Sequence, residues 1–154
     1  MNIMLSNLGF EKEPQLPVLL KRVYEPPSLS DGKRVLVDRL WPRGLTKGQA
    51  QLDRWLRDLA PSNELRRWFH QRPQYFNVFR KRYLKELAQP ASMKALEELY
   101  SLVQDSKKVT LVYASTNTEC NNASVLKELL EGMRKPPSSS GPARAVPARI
   151  AARR

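Results

Sequence analysis

Apolar and polar residues follow one another along this chain with two periods, and the switches between them mark out its elements. Val18-Leu19-Leu20-Lys21-Arg22-Val23-Tyr24 is a short run with β-branched and aromatic character, stopped by Pro26-Pro27, and reads as a strand. Ser30-Asp31-Gly32 has the chemistry of a turn. Arg34-Val35-Leu36-Val37-Asp38 is a second strand, apolar enough to be covered on both faces, as parallel strands are. Pro42 and Gly44 in Leu40-Trp41-Pro42-Arg43-Gly44 turn the chain into a loop. Four helices are predicted next. Thr46 caps one whose Leu52, Trp55, Leu56 and Leu59 fall at i, i+3, i+4 and i+7. Ser62 caps a second, with Leu65, Trp68 and Phe69 on one face. Pro73 begins a third with a Phe76, Phe79, Tyr83, Leu87 stripe, and Pro90 and Ser92 open a fourth carrying Leu96, Leu99, Tyr100 and Val103. Val109-Thr110-Leu111-Val112-Tyr113-Ala114 is the strongest strand of all. A polar loop, Ser115 to Cys120, then leads to a last helix with Leu126, Leu129, Leu130 and Met133 inward.

Strand, strand, helices, strand, helix is the pattern of an α/β fold with a small, mainly parallel sheet of about three strands, a helical insertion and a C-terminal helix. A right-handed crossover through the helices brings the third strand beside the second. Residues 16–133 form a single domain on this reading, after a loose leader at 1–15. The tail 134–154, rich in Pro, Ser, Gly, Ala and Arg, is expected to be disordered, because it cannot bury enough surface to offset its ordering entropy.

Composition changes the picture by exclusion. A chain of 154 residues has room for one core without staples. Its single cysteine, Cys120, excludes an internal disulfide framework and fits a reducing, cytoplasmic setting; with the single histidine, His70, it leaves too few ligands for a thiolate or imidazole zinc site. No apolar run approaches the about 18 residues that span a bilayer, and the basic n-region of a signal peptide is missing, so no membrane partner is expected. The formal charge of +12 is uneven: residues 54–85 hold nine bases and two acids, and the tail holds six bases and no acid.

The string Lys21-Arg22-Val23-Tyr24, then Asp31-Gly32-x-Arg34-Val35-Leu36-Val37-Asp38-Arg39-Leu40-Trp41-Pro42-Arg43-Gly44, resembles the YeaO-like family of small bacterial proteins, a domain of unknown function. The resemblance continues through Leu52-Asp53-x-Trp55, Ala60-Pro61-Ser62-x-Glu64-Leu65-Arg66, Phe69-His70 and Phe79-x-x-Arg82-Tyr83. It resumes at Thr110-Leu111-Val112-Tyr113-Ala114 and Asn121-x-Ala123-x-Val125-Leu126, so that residues 19–131 are covered. It implies a compact α/β fold and no established reaction. Relatives often carry Lys where this chain has Thr116 and His where it has Asn122; both replacements are neutral hydrogen-bonding groups, suited to binding more than to proton transfer.

Ligands of open α/β sheets bind beyond the carboxyl ends of the strands. Here those ends carry Asp38, Arg39, Trp41 and Arg43 on one side, and Ser115, Thr116, Asn117, Asn121 and Asn122 on the other. Guanidinium forks pair with phosphate or carboxylate, so Arg39 and Arg43 are candidate anion contacts, with Asp38 orienting and the neutral side chains donating. The plainer alternative is an Asp38–arginine ion pair that fixes the loop, with Asn121 as a helix cap. Trp41 lines the pocket on the first reading, whereas Trp55 belongs to the core. Cys120 as a nucleophile and His70 as a proton shuttle are outweighed by incidental roles. A second class of function is nucleic-acid binding: Arg66, Arg67, Arg72, Arg80, Lys81, Arg82 and Lys85 are interleaved with Tyr75 and Phe76, and the basic tail could hold nucleic acid without specificity. Against it, charges opposite an apolar stripe are the ordinary solvated face of a helix. A third class, an enzyme acting on a phosphorylated substrate, lacks a glycine-rich cofactor loop, a P-loop and any assembled triad, and no cofactor is expected.

Overall fold

The structure, a computed structural model, describes residues 18–133; the expected leader at 1–15 and tail at 134–154 lie outside the described residues. β1 (Val18–Arg22), β2 (Lys33–Leu36) and β4 (Val109–Tyr113) form the three predicted strands, and β3 (Arg54–Trp55) adds a fourth. The order is β1-β4-β2-β3 and every pairing is parallel. Val18 lies opposite Val109 and Arg22 opposite Tyr113; on the other side of β4, Lys33 faces Val109 and Leu36 faces Val112. The predicted neighbouring of the strongest strand with the second one is therefore observed. All carboxyl ends of the strands lie along one edge.

The expected first helix is corrected. Thr46 does cap a helix, α1, but it spans only Lys47–Ala50 and ends at Gln51, whose φ of 46° is left-handed. The chain then pairs as β3 and closes in a 3-10 turn at Arg57–Leu59. The remaining helices agree with the pattern: α2 (Asn63–Gln71), α3 (Phe76–Leu87, entered through a 3-10 turn at Pro73–Tyr75), α4 (Pro90–Asp105) and α5 (Asn122–Glu131). Ser62 accepts from the Leu65 N–H and Asn121 from the Ser124 N–H, each satisfying an N–H that a helix start leaves open.

Two cores follow from the period-2 alternation of the strands. Val35, Val37, Val109, Leu111 and Tyr113 face the helices, against Leu65, Phe79, Tyr83, Leu99, Leu126 and Leu130. Leu36 and Val112, with Val23, face the other way and are covered by Trp41, Leu45, Leu52 and Trp55. One face thus rests on helices and the other on the segment between β2 and β3. No helix among the described residues is long and apolar enough to cross a membrane.

Candidate functional site

The two loops that leave β2 and β4 meet. The Asp38 carboxylate accepts from the Ala114 N–H at 2.9 Å and from the Asn122 side-chain amide at 3.1 Å. The same amide donates to the Val37 carbonyl at 3.0 Å, so the start of α5 is pinned to the end of β2. Burial raises the Asp38 carboxyl above its usual range, while the bonds from Asn122 and Ala114 and the charge of Arg66 hold part of that rise back. No ion pair to Asp38 occurs among the described residues, so the loop is fixed by neutral donors in place of the arginine considered above.

The guanidiniums diverge. Arg39, half-buried, donates to the carbonyls of Ala60 (3.2 Å) and Pro61 (3.3 Å), holding the chain that enters α2. Arg43 is exposed, and its side chain has no partner among the described residues; its own carbonyl accepts from the Tyr24 hydroxyl at 3.0 Å. Trp41 is a half-buried core residue: its indole N–H donates to the Leu45 carbonyl at 2.7 Å and its ring meets Trp55 edge-on at 5.4 Å. Trp55 in turn donates to the Asp38 carbonyl at 2.8 Å.

On the β4 side most polar atoms are spent on the loop itself. Ser115 Oγ accepts from the Asn117 N–H, and Asn117 Oδ1 accepts from the N–H groups of Glu119 and Cys120. Asn121 caps α5 through its oxygen and donates its amide to the Asn117 carbonyl at 2.8 Å. Burial raises the Tyr113 hydroxyl, helped by the Glu25 charge and opposed by Arg22 and a hydrogen bond with Asn121. Thr116 is exposed, and Cys120 is half-buried and free. His70 is exposed in the last turn of α2, on a different element from Cys120.

Two features escaped the sequence reading. Arg22, at the end of β1, donates to the carbonyls of Ala114 and Ser115, both at 2.9 Å, and lies over the Tyr24 ring. Its position at a strand end was the available signal. A groove of about 620 Å³ also runs between α2 and α3, with Ser62, Leu65, Trp68, Arg82, Lys85 and Glu86 among its walls. Nothing in linear spacing pairs those two helix faces.

Comparison with known proteins follows the same core. The family profile matching residues 17–145 is described as the inactive DUF488-N3 subclade. The uncharacterized protein YeaO of Escherichia coli (strain K12) is 44% identical over 115 residues, which cover 73% of this chain and 96% of YeaO. The uncharacterized protein Rv3073c of Mycobacterium tuberculosis (strain H37Rv) is 44% identical over 115 residues, 75% of this chain and 94% of its own. The uncharacterized protein Mb3100c of Mycobacterium bovis matches to the same extent. No solved structure matches. The matched span takes in the whole described fold, both strand-end loops included, and the chain belongs to the YeaO-like DUF488 family, in its N3i subclade.

Proposed function

We propose that this protein binds its ligand without transforming it, and that the ligand presents a phosphate or carboxylate to the edge where β2 and β4 end. One observation carries this reading: Arg43 extends a guanidinium with no partner among the described residues from a loop that is otherwise tied down. Tyr24 holds its main chain, Trp41 closes it onto Leu45, and Trp55 fixes the turn behind it at Asp38. A planar cation on a rigid mount loses little entropy when it pairs with an anion. Arg39 and the side chains of Asn121 and Asn122 are occupied by the fold, so they act as the mount and Arg43 as the contact. The absence of reaction is supported by Asp38, both of whose carboxylate oxygens accept protein hydrogen bonds, and by the description of the subclade as inactive.

Phosphate titration followed by thermal unfolding tests this. Wild-type protein in phosphate at about 100 times Kd gains about 2.7 kcal/mol. Arg43→Ala removes the gain, whereas Arg82→Gln with Lys85→Gln, far along the chain on α3, keeps it. No gain in the wild type, or an equal gain in Arg43→Ala, overturns the reading.

A second reading, weak and salt-sensitive polyanion binding by the helical insertion, is favoured by one specific feature. Arg67, Lys81, Arg82 and Lys85 are exposed on α2 and α3 and form no ion pair among the described residues, whereas Arg80 does pair, with Glu128.

A further inference from the structure

The groove between α2 and α3 combines an aromatic platform with cations that the fold leaves unpaired. Trp68 is half-buried; the Arg82 guanidinium lies over its ring at 4.5 Å and that of Arg72 at 5.5 Å, with Tyr75 beside it at 6.3 Å between centroids. A guanidinium held over an indole can itself carry a second planar group, since both are flat. The platform continues along one face of α3. Val78, Arg82 and Lys85 recur at intervals of four and three within α3, so they share that face over roughly 10 Å. Tyr75 is 48% exposed and Val78 37%, so the platform is open to a ligand on this side.

The charges within the groove are ordered. Both carboxylate oxygens of Glu86 accept at 2.7 Å from Ser62, one from its N–H and one from its hydroxyl. With Glu64 they make the α2 N-terminal end acidic. Arg82 and, just beyond the groove's walls, Arg72 make the Trp68 end basic, while Lys85 stands next to Glu86. An anionic group is therefore drawn to the Arg82 end, where the planar shelf also lies. A phosphate joined to a flat, uncharged ring fits this juxtaposition, and the exposed Arg67, Lys81 and Lys85, without ion pairs among the described residues, offer further phosphate contacts of the kind a strand of such units needs.

We propose that this groove binds single-stranded nucleic acid, its cations on the phosphates and the Trp68–Arg82–Tyr75 platform under the bases. The proposal rests on the polyanion reading of the helical insertion and names its ligand. Base-on-aromatic stacking is tolerant of sequence, so no preferred sequence is expected.

The test compares the full-length protein on labelled oligothymidylate and on an abasic oligonucleotide of equal length, by fluorescence anisotropy at several salt concentrations. Oligothymidylate is expected to bind roughly tenfold tighter than the abasic strand, the increment that stacking of one base supplies. Trp68→Ala brings oligothymidylate down to the affinity of the abasic strand. Since Trp68 also leans on the core, Arg82→Gln with Lys85→Gln provides a second readout on the exposed face: the slope of log K against log salt becomes shallower by about 1.4. Equal binding of the two strands, or a base increment that survives Trp68→Ala, overturns the site and leaves the polyanion reading standing. Failure of both strands to bind overturns the two together. Thymidine monophosphate binding as tightly as the oligomer overturns the assignment to a strand.

Discussion

Gly32 and Gly44 both adopt positive φ, 67° and 83°, yet their surroundings differ. A Cβ on Gly32 would stand 2.2 Å from the Lys108 carbonyl oxygen, a backbone atom paired with β2, whereas one on Gly44 would meet open space. Gly44→Ala therefore incurs only the left-handed conformational cost, about 1 kcal/mol. Gly32→Ala adds displacement of the strand and is expected to cost more than twice that, which urea unfolding of the two variants would compare. A smaller or equal loss at Gly32 would contradict the close approach of this turn to β4. Both glycines stand out in the sequence as turn residues, but only the fold reveals which one has a neighbour. The same holds at the site. Asn121 is legible as a cap from its place before an apolar stripe, and it is one. That Asn122, Arg39 and Trp41 are used up inside the molecule depends on partners up to 85 positions away, which no local pattern encodes.

At the scale of elements, the segment 46–60 shows how a helical stripe can be something else. Leu52, Trp55, Leu56 and Leu59 have helical spacing, but Leu52 and Trp55 cover one face of the sheet while Leu56 and Leu59 enter the core on the other. The chain passes over the sheet edge between them, pairing as it goes: the Asp53 N–H donates to the Arg34 carbonyl and the Leu56 N–H to that of Leu36. The Asp53 carboxylate closes the pairing by accepting from the Arg34 N–H at 2.8 Å. Asp53→Ala is expected to weaken β3 by about 1–2 kcal/mol and to speed hydrogen exchange at the Arg34 amide, with the β1–β4 amides unaffected. Uniform acceleration over the whole sheet would instead mean that β3 is part of the global core. The other helices were legible because cap, proline and stripe agreed. Here the Thr46 cap and the period agreed as well, and the cap does start a helix, but the left-handed Gln51 ends it after one turn, before the stripe begins.

For the molecule as a whole, the two edges of the sheet have opposite electrostatic character. At the amino edge, Asp31 accepts from Lys21 at 3.0 Å and from the buried Arg34 at 2.8 Å. Burial alone would raise its carboxyl; the bonds from Lys21, the Ser28 N–H and Arg34, with the Lys21 charge, outweigh burial and hold it below 3.8. A carboxylate with a depressed native value contributes stability that is complete above its unfolded value and disappears as pH falls through the native one. Stability is thus expected to drop below pH 3.8, and Asp31→Asn, itself less stable at neutral pH, should show a shallower fall over that range in acid titrations of the unfolding midpoint. A parallel fall would remove Asp31 from the acid response. At the carboxyl edge, Asp38 shifts the other way, so its contribution to stability grows as pH falls towards 3.8, before the Asp31 loss sets in. Of the basic helical insertion, Arg66 acts on Asp38 by its charge and Arg80 pairs with Glu128, whereas Arg67, Lys81, Arg82 and Lys85 form no ion pair among the described residues and face solvent.

Sheets with open margins invite pairing with other chains. On one margin this protein presents β3, two residues long, too little to template an incoming strand. The opposite margin, Val18–Arg22, is long enough, but two of its five residues are cations anchored to Asp31 and to the exit of β4. Among the described residues this is the margin from which edge-to-edge pairing could start, and neutralising Lys21 or Arg22 would remove the guard together with the anchor.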